Sequence, residues 1–347
     1  MYFRVRYAQF VTLFAMLSRR TLTFSVVWTV VAVSCFKARC DESARSDESG
    51  QNQPSRSWNF PSKTGGGAQF WTDERFFHGW RIQRNVVTGH FRLLDDRDVR
   101  QAWGSLAHCV DELDAKRQSE KLPPMSGRAV VLLHGLGRTR KSMLKMADYL
   151  KQGGYEVFSV SYASTRGSHD DHAAALAKII AKLEGIEEIN FVAHSMGNTV
   201  LRRYLAANAP AGQLPDRRIA RIVMLAPPNQ GATHVELLAL DRAGNIAGKA
   251  AKELGPQWET FRHKMATPSC PFGILAGDGG DSDNPLIEGA DDLVIPVETT
   301  KLSGARDFRV VPNVHTFLMN DAAVQRMTLN FLKHGFFETE AKRQPIR

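Results

Sequence analysis

Residues Ile189-Asn-Phe-Val-Ala-His-Ser-Met-Gly197 constrain this chain more than any other stretch. An apolar run of strand character passes through a single serine into a segment of helical character. Ala193 and Gly197, two before and two after Ser195, are small enough for a sharp strand-to-helix turn to close without clashes. A serine alcohol is a weak nucleophile in water. It becomes a strong one when held rigidly beside a general base, with backbone N–H groups aimed at the developing oxyanion. The same pentapeptide would also fit an ordinary helix cap, so its meaning rests on the remainder of the chain.

Upstream, Arg128-Ala-Val-Val-Leu-Leu133 is an unbroken apolar run that ends in His134-Gly135-Leu136-Gly137. This is the pattern of a buried central strand feeding a glycine-rich loop. The glycine loop, the serine turn and their order resemble the α/β-hydrolase superfamily, in its lipase and carboxylesterase branch, where a His-Gly-x-Gly-type loop lies roughly sixty residues before the nucleophile. The resemblance extends over roughly residues 128–335. It implies Ser195 as nucleophile and the N–H groups of Leu136 and Met196 as an oxyanion hole, with His134, Gly135 and His194 lining the substrate site. It also implies the chain order nucleophile, acid, base.

Downstream histidines are His234, His263, His315 and His334. Only His315 directly follows a strand-like segment, Phe308-Arg-Val-Val-Pro312, and it is taken as the base. His234 falls in an expected insertion and His334 near the end of a C-terminal helix. Asp278, Asp281, Asp283, Asp291 and Asp292 all follow the strand Phe272-Gly-Ile-Leu-Ala276. Lipase-like relatives carry Asp-Gly-x-Val-Pro here, and Asp292-Leu-Val-Ile-Pro296 is similar, with Leu293 in place of the glycine. Asp292 is therefore the chosen acid, Asp291 the runner-up and Asp278 a third candidate.

Periodicity supplies the frame. Ser142–Lys151 has helical spacing and stops at Gly153-Gly154. Tyr155–Tyr162 reads as a strand, and Ser168-His-Asp-Asp171 opens a helix through Leu183 like a capping box. Gly197–Asn208 reads as helix and Ile219–Ala226 as strand. The alternation predicts an α/β fold with a mostly parallel, doubly wound sheet, the α/β-hydrolase fold, whose ligands bind beyond the carboxyl ends of the strands. About forty residues separate Ala226 from the next strand, too many for a plain connection. Apolar spacing over Val235–Leu240 and Ile246–Leu254 predicts a helical cap insertion at about residues 230–265.

Residues 21–36 are apolar and uncharged and follow Arg19-Arg20, so residues 1–40 read as a signal peptide or N-terminal anchor, with Met16 an alternative start. Residues 41–68 are rich in Ser, Gly, Gln, Asp and Arg and read as a disordered linker. Residues 69–127 read as an N-terminal extension packed on the core, with strands at Trp80–Arg84 and His90–Leu94 and a helix over Asp98–Leu113. The catalytic domain is placed at 128–347. An exported chain, periplasmic, envelope-associated or secreted, is the expectation, and in that setting Cys109 and Cys270 form either a disulfide or two buried thiols.

With 43% hydrophobic residues the chain can bury one large core. The net charge of +9 is scattered rather than interleaved with aromatics, which argues against nucleic acid and leaves an anionic membrane surface as a possible neighbour. His169-Asp-Asp-His172 could suggest a metal, but aspartates at a helix start complement its dipole without one. There is no dinucleotide glycine motif, phosphate loop or zinc-type cysteine pairing, and no cofactor is expected. The expected partner is an ester or lipid substrate. The function expected is a serine hydrolase of carboxylic esters; an acyltransferase or thioesterase with the same triad, and a non-catalytic hydrolase-like envelope protein, are the rivals.

Overall fold

The computed structural model describes residues 62–63, 67–232, 248–280 and 290–347. The expected leader, most of the expected linker and the cap helix at Val235–Leu240 lie outside them. All the described residues belong to one compact unit, Trp58–Arg347.

Five strands come first: β1 (Ser62–Lys63), β2 (Trp71–Phe77), β3 (Trp80–Asn85), β4 (Phe91–Leu94) and β5 (Val99–Gly104). They pair antiparallel in the order β1-β5-β4-β3-β2. Helix α1 (Leu106–Ser119) follows. The expected helix over Asp98–Leu113 is thus half wrong. Residues 99–104 pair with β4, and the helix starts only where the Ser105 side chain accepts the His108 amide at 3.1 Å. Tertiary pairing overrides local propensity here, and a serine cap fixes the boundary.

The second sheet is parallel throughout. Its strands are β6 (Gly127–Leu133), β7 (Glu156–Val160), β8 (Ile186–His194), β9 (Ile219–Leu225), β10 (Phe272–Gly277) and β11 (Asp307–Val311). Their spatial order is β11-β10-β9-β8-β6-β7. The helices between them are α2 (Leu144–Gln152), α3 (His169–Ala181), α4 (Met196–Asn208), α5 (Gly248–Leu254), the single turn α6 (Trp258–Phe261) and α7 (Ala322–His334). This is the doubly wound α/β arrangement expected, with α5 and α6 on the C-terminal side of the long insertion.

Strand geometry explains why the runs are apolar at every position. Successive side chains point to opposite faces, and both faces are covered. On β6, Ala129, Val131 and Leu133 join Leu176, Ile179, Val200 and Leu201 of α3 and α4, whereas Val130 and Leu132 join Met146 and Leu150 of α2 and Phe331 of α7. The N-terminal sheet shares the first of these cores through Phe76, Ile82 and Leu93. Phe76 meets Phe158 of β7 edge-on, with ring centres 5.4 Å apart. Cys109 and Cys270 are both buried free thiols, with burial pushing each up to about 11.

Helix α3 begins with a complete capping box: Ser168 Oγ accepts the Asp171 amide at 3.2 Å, and Asp171 Oδ2 accepts the Ser168 amide at 2.9 Å. Replacing Ser168 by alanine orphans that Asp171 amide, and we expect the variant to lose about 1 kcal/mol in denaturant unfolding with its slope unchanged. A loss near zero would mean that packing of α3 alone fixes its start.

Candidate active site

Ser195 stands between β8 and α4 with φ 53° and ψ −127°, a conformation that costs a non-glycine residue about 1–3 kcal/mol. Its surroundings hold it there. The Ser195 amide donates to Leu225 O at 3.0 Å, and the Asn198 side chain donates to Ser195 O at 3.0 Å and to Leu225 O at 3.2 Å. The small flanking residues act by close approach: a Cβ on Gly197 would lie 2.8 Å from Leu133 O, and one on Gly135 would lie 3.0 Å from Ser195 Cβ. Glycine at both places lets the end of β6 and the start of α4 touch.

The carboxylate of Asp292 and the imidazole of His315 are brought together from two different loops. His315 Nδ1 is 2.8 Å from Asp292 Oδ2, and the His315 amide donates to Asp292 O at 2.8 Å. The other carboxylate oxygen, Oδ1, accepts the amides of Val294 at 3.1 Å and Ile295 at 2.6 Å. Asp292 is 1% exposed, so its carboxylate orientation is fixed by these bonds. Asp291 is also buried, but its Oδ1 accepts the Leu293 amide at 2.5 Å and closes the turn. Asp278 is exposed at the end of β10. Asp281 and Asp283, like His234, lie outside the described residues. His263 sits in the turn Arg262–Lys264, and His334 ends α7 as expected.

Sequence reasoning missed what lets the two loops converge. A Cβ on Gly277, the last residue of β10, would lie 2.4 Å from Asn313 O and 2.9 Å from Asp292 Cβ. A glycine at a strand's carboxyl end, just before a carboxylate-rich loop, was the available signal. Leu293 does take the left-handed conformation, φ 75°, that the glycine of the resembling motif would adopt freely, and its side chain is 52% exposed.

His134 and His194 do not line the site surface: they are 0% and 1% exposed. The His134 ring stacks on Tyr162 with centres 4.1 Å apart and planes 7° apart. Its Nδ1 lies 2.8 Å from Gly135 O, the Tyr162 amide approaches Nε2, and the Tyr162 hydroxyl donates to His134 O. His194 Nε2 donates to His315 O at 3.0 Å. Burial leaves both rings to position backbone, His134 at the glycine loop and His194 at the loop of His315. Burial brings His134 down to about 4 and holds His194 well below the free imidazole value, reinforced in the latter by neighbouring His315.

The glycine loop is tied further by Gly137 N donating to Ser164 Oγ at 3.0 Å and by Gln69 Nε2 donating to Arg138 O at 2.7 Å. Met196 is the first residue of α4, so its amide is one of the four without an intrahelical partner. Leu136 is half-buried on the same loop as Gly135. His169 does not point to a metal: its Nδ1 is 2.6 Å from Glu253 Oε2 on α5 and its Nε2 is 2.8 Å from Thr199 Oγ1 on α4. It pins the C-terminal arm of the insertion to the helix that follows Ser195.

The sequence over residues 130–333 matches the model of the alpha/beta hydrolase family. The chain belongs to this family. Among curated proteins none matches it in sequence. Among solved structures, phospholipase PlaB from Legionella pneumophila in complex with thio-NAD is similar at 17% identity and a TM-score of 0.45, covering 60% of this chain and 56% of that one. This hydrolase thus spans little more than half the length of that phospholipase. The lin2722 product of Listeria innocua is similar at 18% identity and TM-score 0.43, covering 62% of this chain and 96% of its own. The metagenomic carboxyl esterase MGS0156 is similar at 18% and 0.40, with 56% and 66% covered.

Two predictions follow from these geometries. Leu293→Gly relieves a left-handed side chain, so its unfolding free energy stays level or rises, while the β-branched Leu293→Val loses about 1 kcal/mol; glycine costing more than valine would refute the strain. The second concerns pH. His134 and His172 are buried and brought down to about 4 and about 3, against about 6.5 in an unfolded chain. Between those limits the unfolded state binds the protons, so stability present above pH 6.5 is lost as pH falls toward 4, by about 1.4 kcal/mol per pH unit per histidine at full effect. Denaturant titrations at pH 7 and 5 check it, and His172→Gln should shallow the slope.

Proposed function

We propose that this alpha/beta hydrolase cleaves carboxylic esters, of lipid or other acyl type, by nucleophilic attack of Ser195. The observation that carries this reading is the 2.8 Å contact between His315 Nδ1 and the buried, amide-anchored Asp292 carboxylate, in a fold that strains Ser195 into its turn. In the reaction, Ser195 Oγ attacks the acyl carbonyl carbon as His315 Nε2 takes its proton. Asp292 fixes the imidazole so that Nε2 is free to accept, and stabilises the imidazolium. The amides of Leu136 and Met196 receive the oxyanion. His315 returns the proton to the leaving alcohol, and water then releases the acid from the acyl-enzyme. Exposed Leu293 and Phe317, each next to or two residues from a triad member, favour an apolar acyl group over a polar one.

The apolar stretch at residues 21–36 supports an exported protein, which fractionation of the producing cell would test directly.

Labelling with a fluorophosphonate probe, mapped by mass spectrometry, tests the chemistry. The adduct should fall on Ser195 and disappear in Ser195→Ala and His315→Ala. Asp292→Asn should lower kcat on a short-chain ester by about 10⁴-fold. Asp291→Asn should cost less than tenfold. No adduct on a folded protein would sink the proposal in favour of a binding role, and products carrying an added alcohol acceptor would make it a transferase.

A further inference from the structure

A cavity of about 330 Å³ opens between the N-terminal sheet and the turn Thr139–Lys141, immediately after the glycine loop. Four cationic side chains line it, Arg81, Arg92, Arg140 and Lys141, with Asp98 the single carboxylate among the lining residues. Arg81 and Arg140 both donate to Asp98 Oδ1, the latter at 2.6 Å, and Arg81 Nη1 lies 3.9 Å from Asp73 Oδ1, so two carboxylates face four cationic side chains. Asp73 lies behind the wall, wholly buried, and both its oxygens are occupied, by Gln83 Nε2 at 2.7 Å and by the Ser161 amide at 2.6 Å.

Arg92 is the most informative member. Its Nε and Nη2 donate to the neutral Gln83 Oε1 at 2.9 and 2.7 Å, and its guanidinium lies 3.8 Å above the Trp71 ring. A guanidinium has five N–H donors in a rigid fork, so most of those on Arg92 remain free of Gln83. Burial, and repulsion from Arg81 next, lower it to about 10, against the opposing pull of Asp73 and Asp98. The Trp71 face holds the plane of Arg92 fixed and so pre-organises its fork for an oxyanion.

The geometry points to a phosphate-binding site in this cavity, formed by Arg92, Arg140 and Lys141, for a phosphate group carried either by a free ion or by a lipid headgroup. Arg81 acts from behind by keeping Asp98 engaged. The site is separate from Ser195 chemistry and does not depend on the proposed hydrolytic activity.

Titration calorimetry on the full chain tests it, with inorganic phosphate at constant ionic strength maintained by chloride, since general screening would act alike on both anions. In parallel, on Ser195→Ala so that no ester is turned over, dihexanoylphosphatidylglycerol is titrated below its micelle concentration against uncharged dihexanoylglycerol. Saturable binding of phosphate alone assigns the site to the free ion; binding of phosphatidylglycerol alone, with none of the diacylglycerol, assigns it to a headgroup; both together assign it to the phosphate group in either setting. In each supporting case Lys141→Gln, an exposed change that leaves the fold alone, should weaken binding at least tenfold, and Arg92→Gln further. No saturable binding of either probe up to about 10 mM, where association is worth only about 3 kcal/mol, or affinity unchanged in Lys141→Gln, overturns the site.

Discussion

The geometry around Ser195 hangs on one close approach. Gly197, at the start of α4, lies against the carbonyls of Leu133 and His134 at the end of β6, where a Cβ would come within 2.8–3.0 Å. That contact draws the helix onto the sheet, and the strained Ser195 turn is the geometric consequence. The strain, about 1–3 kcal/mol, is small beside the burial of the strands on either side, where each fully buried Val, Leu, Ile or Phe contributes about 1.5–3 kcal/mol. The sheet core therefore over-determines the turn, and the serine cannot relax without unpacking β8.

The same logic sets the state of the histidines. Two rings next to the serine turn and the glycine loop are buried and bound to backbone carbonyls, His134 to Gly135 O and His194 to His315 O. Burial keeps them neutral, because an imidazolium without a carboxylate in that setting would be strongly destabilised. His315 differs in having the Asp292 carboxylate at Nδ1. Among these three histidines, it alone has a carboxylate within hydrogen-bond distance of its ring. This separation of roles rests on partners rather than on residue type, which explains how three histidines can crowd one site without interchangeable functions.

The sheet was legible because its signals are local and redundant. Apolar runs at β6, β8 and β9, the glycine stop after α2 and the capping box of α3 each specify an element without reference to distant chain. The N-terminal region was less so. β2 was not anticipated, and β5 was taken for helix, since both strands exist only through antiparallel pairing with neighbours. At the site, the turn at Ser195 and the pairing of Asp292 with His315 agree with motif and order, but the burial of His134 and His194 was not legible, because side-chain depth depends on Tyr162 and on the loop carrying His315. Gly277 escaped notice for the same reason: its lack of a side chain matters only once the loops of Asp292 and Asn313 cross it.

The region before β6 also has a mechanical part to play. Gln69 accepts from Ser164 Oγ and the Thr165 amide at 3.1 Å each while donating to Arg138 O at 2.7 Å, and Ser164 Oγ in turn accepts the Gly137 amide at 3.0 Å. Asp73 reaches across to the Ser161 amide at 2.6 Å, one residue before the Tyr162 ring that stacks on His134. The glycine loop is thus clamped from outside the parallel sheet by two polar side chains of the preceding region. A loop of glycines has little conformational preference of its own, so amides aimed at an oxyanion need such external restraint to be pre-organised. On this account the residues before β6 belong to the folded hydrolase as much as the strand-end loops do, since removing them would free the loop while leaving Ser195, Asp292 and His315 in place.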